Sequence, residues 1–217
     1  MHIVTILVAD DHAVVRRGLR ALLETQSHWR IVGEASNGRE AVEKAAALSP
    51  QIVILDVGMP RLNGLDAAAL IYKANPKTRI LMLTMHAAES LIQQTLQAGA
   101  SGYVLKSDAE RDLITAVDAL LHNKMFFTAA ASAVVLEQLR DGYKKKDLSG
   151  ERERLSVRER EVVQLLAEGK SNKEIGASLN ISKRTVDHHR ARIMDKLQVQ
   201  SVGELVLYAV RNKIVEP

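Results

Sequence analysis

The strongest constraint in this sequence is a rhythm. Between residues 3 and 123, five short runs rich in β-branched residues alternate with longer stretches whose apolar residues recur at helical spacing. The runs are IVTILVA (3–9), WRIVGEA (29–35), QIVILD (51–56), RILMLT (79–84) and GYVLK (102–106), and the helical stretches fall at about 12–26, 38–48, 65–75, 88–98 and 108–122. Near-continuous apolarity in a short run predicts a strand covered on both faces, as in a parallel sheet, because helical crossovers supply the cover. Five βα units predict a doubly wound parallel sheet, with Asn37 and Asp108 as helix N-caps. Chemistry in such a sheet belongs at the carboxyl ends of the strands.

That rhythm is expected to stop after Asn123. TAAASAVVLEQLRDG (128–142) reads as one helix, over about 128–141, ended by Gly142, and the charged stretch YKKKDLSGERER (143–154) reads as a linker. From Leu155 onward the pattern is purely helical, at about 157–168, 172–179, 183–197 and 202–212, each preceded by a serine suited to capping: Ser156, Ser171, Ser182 and Ser201. The expected organisation is therefore a first domain over 1–123, a connecting region over 124–154 and a small all-α domain over 155–217. Charge follows the same division. Residues 1–139 are nearly balanced, so the net charge of +4 sits behind residue 139, where it could meet nucleic-acid phosphates.

Composition removes several classes. No apolar run approaches the roughly 20 residues that span a bilayer, and Asp10 and Asp11 end the first run too early for a secretory signal. The absence of cysteine excludes disulfides and thiolate metal sites. A cytoplasmic location is the expectation.

Asp10 and Asp11 end the first strand and Asp56 the third, so a parallel sheet brings three carboxylates to one edge. Such a cluster repels itself, and a hard divalent cation relieves the repulsion; Mg²⁺, held by a few carboxylates, waters and a phosphate oxygen, suits it. Thr84 ends the fourth strand and Lys106 the fifth. A carboxylate nucleophile, a metal, a hydroxyl and a cation at one edge make a phosphoryl-transfer constellation.

These residues also carry a resemblance. Asp10-Asp11, DVGMPRLNG from Asp56, Thr84, and GYVLK with Tyr103 three before Lys106 resemble the receiver domain of bacterial response regulators, a flavodoxin-like fold. The resemblance implies that Asp56 accepts a phosphoryl group from a sensor histidine kinase. Asp11, Asp56 and the Gly58 carbonyl would hold Mg²⁺, with Asp10 acting largely through water. Lys106 would pair with the phosphoryl group, while Thr84 and Tyr103 would rearrange to report it, the ring moving inward. One departure is Ser107, where many receivers carry proline. His12, His86 and His122 read as caps or surface residues, although His86 and Gly58 occupy positions that in receivers flank the phosphoryl group.

LSVREREVVQLLAEGKSNKEIGASLNISKRTVDHHRARIMDKLQVQSVGELVLYAV (155–210) resembles the LuxR-type helix-turn-helix of the NarL/FixJ response regulators. Val162, Leu165, Leu166, Ile175, Leu179, Ile181, Val186, Ile193, Leu197 and Leu205 recur at helical spacing and predict one small core under four helices. The stretch 183–197 would be the recognition helix, with Val186, His189, Ile193 and Leu197 inward. Arg184, Asp187, His188 and Ala191 would then face bases, and Lys173, Lys183, Thr185, Arg190 and Arg192 phosphates. Asp187 stands where many NarL-type members carry lysine, which is closer to the FixJ branch. The resemblance implies a transcription regulator, not a turnover enzyme, that binds paired DNA half-sites and forms a homodimer when phosphorylated.

Two other readings compete. An aspartate-nucleophile phosphatase would want a second carboxylate close behind the nucleophile, but Asp56 is followed by VGMP. A DNA- or protein-binding regulator that works without phosphorylation would not need the complete pocket.

Overall fold

The computed structural model describes residues 3–85, 89–128 and 155–215. The chain divides into two compact units, Met1–Lys144 and Lys145–Pro217.

The first unit is a parallel sheet with helices on both faces. Its strands are β1 (Val4–Ala9), β2 (Trp29–Ala35), β3 (Ile52–Asp56), β4 (Arg79–Thr84), β5 (Gly102–Leu105) and β6 (Phe126–Phe127), in the spatial order β2-β1-β3-β4-β5-β6. Between them run α1 (Ala13–Leu23), α2 (Gly38–Leu48), α3 (Gly64–Ala74), α4 (Glu89–Gln97) and α5 (Ala109–Leu121). Strand side chains alternate between two cores. Ile6, Val8, Ile52, Ile54, Leu81, Leu83 and Val104 pack with α1 and α5, whereas Leu7, Val53, Leu55, Ile80, Met82 and Tyr103 pack with α2, α3 and α4. This two-sided burial is why the strands read as continuous apolar runs.

Strand order reverses between β1 and β3, so the crevice beyond their carboxyl ends, the usual ligand position in such sheets, receives Asp10, Asp11 and Asp56.

Two sequence expectations need correction. The strand rhythm does not end at Asn123, because β6 pairs parallel with β5 through Gly102↔Phe126 and Tyr103↔Phe127; two residues are too few to show a period. Asp108 sits at the start of α5 but makes no side-chain cap, because a 3₁₀ turn at Lys106–Asp108 already leads into the helix with Asp108 near helical dihedrals. Helix α3 is capped by Asn63, which accepts from Asp66 N at 2.8 Å. Asn37 does cap α2, accepting from Glu40 N at 3.0 Å. The expected helix over 128–141 and the linker lie outside the described residues beyond Thr128.

The second unit consists of α6 (Val157–Ala167), α7 (Asn172–Leu179), α8 (Lys183–Leu197) and α9 (Val202–Arg211). Each of the four serines accepts a hydrogen bond from the backbone N–H three residues on, and Ser156 and Ser171 complete reciprocal boxes with Glu159 and Glu174. Each such cap contributes about 1 kcal/mol to helices this short. Seven of the ten expected core residues are buried, and Leu179, Ile181 and Leu197 pack partly buried against them. Leu155, Val163, Ala209 and Ile214 complete that core. The turn between α7 and α8 closes over Gly176, where a Cβ would meet the Ile181 carbonyl oxygen at 2.8 Å. Among the described residues no helix is long and apolar enough to cross a membrane.

Candidate phosphoacceptor pocket and nucleic-acid interface

The pocket is assembled by strand ends. Asp10 is fully buried just beyond β1, Asp56 ends β3 at 3% exposure, and Thr84, also buried, ends β4. Lys106 opens the 3₁₀ turn after β5, and its Nζ stands 2.8 Å from Asp10 Oδ2 and 2.8 Å from Asp56 Oδ2. One ammonium thus bridges two buried carboxylates.

Asp11 and His12 form the rim. His12 N donates to Asp10 Oδ1 at 2.8 Å, and His12 Nδ1 lies 2.6 Å from Asp11 Oδ1. One ligand atom each from Asp10, Asp11, His12 and Asp56 lie within 4.8 Å of one another. The sequence suggests a cap or surface role for His12. It does occupy the N-cap position of α1, but its side chain makes no cap hydrogen bond and instead turns back to the acidic pair. The only sequence signal for this was its adjacency to Asp10 and Asp11. His122 is exposed, with Nδ1 2.8 Å from the Asp118 carbonyl, and His86 lies outside the described residues.

Electrostatics follow from this crowding. Burial pushes the Asp56 carboxyl up to about 6; Lys106 pulls the other way, and Asp10 and Asp11 add to the rise. Burial disfavours the Lys106 cation, yet Asp10 and Asp56 outweigh it and hold the group above the ordinary lysine value. One cation against three carboxylates leaves negative charge uncompensated. Asp10 Oδ2 and Asp11 Oδ1 are buried and accept no well-directed hydrogen bond, although Lys106 Nζ lies 2.8 Å from Asp10 Oδ2. Hard oxygen donors, close spacing and unsatisfied negative charge fit a small divalent cation.

Gly58 follows Asp56 by two residues in the loop after β3. The Val57 carbonyl accepts from Met59 N at 3.1 Å and Gly64 N at 2.9 Å, which pins the turn. Arg61 takes a left-handed φ of 67° within the loop. Gly64 is needed because the loop returns onto β3: a Cβ there would lie 1.9 Å from the Asp56 carbonyl oxygen. Tyr103 is already inward, at 1% exposure, and burial pushes its phenol up to about 12.

In the second unit, α8 divides as the sequence suggests. Val186 and Ile193 are buried, His189 and Leu197 half-buried, while Arg184, Asp187, His188 and Ala191 are exposed. Lys173, Lys183, Thr185 and Arg192 are also exposed, and Arg190 is half-buried. Asp187 has an unforeseen partner: its Oδ1 accepts from Asn172 Nδ2, the first residue of α7, 15 positions away. Behind the exposed faces, Glu159 of α6 accepts from Ser156 N at 2.7 Å and pairs with Lys196 Nζ of α8 at 3.0 Å. Arg158 donates to the Leu179 carbonyl at 2.8 Å and pairs with Glu161 at 2.9 Å, tying α6 to the end of α7.

Both units match known families. Residues 6–118 match the response regulator receiver domain, and residues 153–209 match bacterial regulatory proteins of the luxR family. The oxygen regulatory protein NreC of Staphylococcus epidermidis is 35% identical over 215 residues, covering 97% of this chain and 99% of its own. The response regulator protein VraR of Staphylococcus aureus is 33% identical over 213 residues, covering 98% and 99%. Among solved structures, the Salmonella typhimurium RcsB response regulator matches with a TM-score of 0.63 and 28% identity over 98% of this chain and 99% of that one. A complex of RcsB with DNA matches with a TM-score of 0.58 and 30% identity over 95% and 98%. This chain belongs to the response regulators of two-component systems, in the NarL/FixJ family that joins a receiver domain to a LuxR-type helix-turn-helix.

Proposed function

We propose that Asp56 is the phosphoacceptor and that its phosphorylation switches DNA binding by the second domain. The observation that carries this reading is the Asp56 carboxylate at the end of β3, 2.8 Å from Lys106 and grouped with Asp10 and Asp11. An Asp56 oxygen attacks the phosphorus of a phosphohistidine on a sensor kinase. The N–P bond breaks, its electron pair stays on the imidazole, and an acyl phosphate forms on Asp56. With a pKa of about 6 the carboxyl is mostly ionised at neutral pH, as a nucleophile must be. Lys106, already held at the carboxylate, pairs with a phosphoryl oxygen.

Asp11, Asp56 and the Gly58 carbonyl would hold Mg²⁺, with Asp10 acting largely through water. When bound, the ion offsets charge on the carboxylates and the incoming phosphoryl oxygens. Thr84 and Tyr103 are the switch pair: the hydroxyl is drawn to the phosphoryl group, and the inward ring occupies the space behind it.

The receiver domain takes in β6 at Phe126–Phe127, past the expected limit at 123, and the DNA-binding domain spans 155–217. Helix α8 enters the major groove, with Arg184, Asp187, His188 and Ala191 towards bases and Lys173, Lys183, Thr185, Arg190 and Arg192 towards phosphates. The solved RcsB–DNA complex supports a DNA partner, and the structure of two RcsB dimers on two DNAs supports a homodimer on paired half-sites. The test is labelling with a small phosphodonor. The parent takes up an acid-stable, base-labile phosphoryl group that requires Mg²⁺, and Asp56→Asn takes up none; undiminished labelling of the variant moves the site elsewhere.

A further inference from the structure

The acidic pair must present Asp11 to a cation from a turn between a strand and a helix, and the structure shows how that turn is held. Asp10 N donates to the Ala35 carbonyl at 3.1 Å, at the end of β2. Asp10 O accepts from Arg16 Nη1 at 2.6 Å, and His12 N donates back to Asp10 Oδ1 at 2.8 Å. Asp11 is therefore suspended between a fixed carbonyl before it and a fixed amide after it.

Arg16 lies in the second turn of α1, and helical side chains lean towards the N-terminus, which carries its guanidinium back over the turn. It is mostly buried, at 17% side-chain exposure, and its Nε stands 3.5 Å from Glu34 Oε2. Glu34 is itself held by Arg20 Nη2 at 2.7 Å. The end of β2 thus clamps both backbone groups of Asp10, directly through Ala35 and indirectly through Glu34 and Arg16.

We propose that Arg16, anchored by Glu34, is a positioning residue that sets the affinity of the acidic pocket for its divalent cation by fixing the Asp10 carbonyl. The inference rests on the metal reading given above. Its sign separates it from plain electrostatics. A guanidinium near a cation site repels the incoming ion, so removing it would tighten Mg²⁺ binding if charge were its whole effect. A positioning role predicts the opposite, because groups that orient metal ligands are worth about 10- to 100-fold in affinity.

The experiment titrates the full chain calorimetrically with Mg²⁺ at constant ionic strength, beside thermal stability without Mg²⁺. Arg16→Ala should weaken Mg²⁺ binding about tenfold. Arg20→Ala, which also breaks an ion pair to Glu34 but removes no contact to Asp10, should stay within about twofold of the parent. In Mg²⁺-dependent labelling, Arg16→Ala should shift half-saturation while the rate at saturating Mg²⁺ holds. Arg16→Lys, keeping the charge on a shorter reach, should fall between. Unchanged or tighter Mg²⁺ binding in Arg16→Ala overturns the proposal, as does an equal loss in Arg20→Ala. If Arg16→Ala does not fold, Glu34→Gln should weaken binding about threefold, and parental affinity there overturns it as well. A parent that binds no Mg²⁺ removes the metal reading and this inference with it. A parent that binds, with Arg16→Ala binding equally, removes the inference alone.

Discussion

The two domains treat buried carboxylates in opposite ways. At the receiver's sheet edge, Asp10 and Asp56 share the ammonium of Lys106, Asp11 stands beside them, and the Asp56 carboxyl is pushed up. In the helix-turn-helix, burial also pushes the Glu159 carboxyl up, but the Ser156 N–H and Lys196 outweigh it and hold the group below the ordinary glutamate range. One arrangement leaves charge for a ligand to satisfy. The other satisfies charge internally and uses it to close α6 on α8. On the function proposed above, a domain that binds a cation and changes state keeps an unsatisfied site, whereas one that presents a rigid surface to DNA does not.

The largest expected effect that sharpens this contrast comes from removing the cation on each side. Lys106→Ala leaves two buried carboxylates without their shared partner and should cost the receiver roughly 3 kcal/mol in Mg²⁺-free buffer. Added Mg²⁺ should recover part of that loss. Lys196→Ala leaves Glu159 still bonded to Ser156 N, and with Lys196 partly exposed the cost should be only about 1 kcal/mol. Chemical denaturation of each variant measures both, and equal losses would erase the distinction.

Next comes relief of the repulsion. A carboxyl raised from 3.8 to about 6 is destabilising when ionised, so Asp56→Asn should stabilise the receiver at neutral pH by roughly 2 kcal/mol, even as it abolishes labelling. An Asp56→Asn receiver that melts below the parent would contradict this.

The pH dependences should diverge in sign. With its native value above the ordinary one, Asp56 makes the native receiver bind more protons than the unfolded chain between about pH 4 and about pH 6. Its contribution to stability therefore declines as pH rises through that window, and Mg²⁺ should flatten the decline. Glu159 is displaced downward, so its contribution is full above the ordinary glutamate value and is lost as pH falls through the native one. Comparing parent with Asp56→Asn and Glu159→Gln across that range isolates each contribution, and parallel difference curves would refute the opposition.

Smallest are the effects on DNA reading. Lys173→Ala should weaken all sequences alike and reduce the salt slope by about one unit. Asp187→Ala should relax preference at one base pair, by about 1–3 kcal/mol if the carboxylate contacts a base. The bond from Asn172 offers a control, since Asn172→Ala frees Asp187 without removing it. Selection of bound sequences with each variant separates the roles: a logo altered by Asp187→Ala alone assigns base contact, and one altered equally by both assigns positioning.

Much was legible in the sequence because it depends on neighbours along the chain. The five strand runs, the helix spans within the described residues and the four capping serines appear close to where periodicity and local hydrogen bonding put them. The pocket's membership was legible too, since strand ends in a parallel sheet share an edge whatever the details. Asp108 failed as a cap for a local reason that composition does not reveal, the 3₁₀ turn running into α5.

Element types, the parallel sheet and the residues that meet at its carboxyl edge were readable along the chain, because each follows from periods of 2 or 3.6 residues and from one topological rule. How those residues are held was not. Arg16 reaching back to Asp10, Gly64 touching the Asp56 carbonyl, Phe126 extending the sheet beside Gly102 and Asn172 bonding Asp187 each join backbone or side chains through particular distances and directions. Such contacts arise where separately folded segments converge, and no periodicity along the chain encodes the angle at which they do.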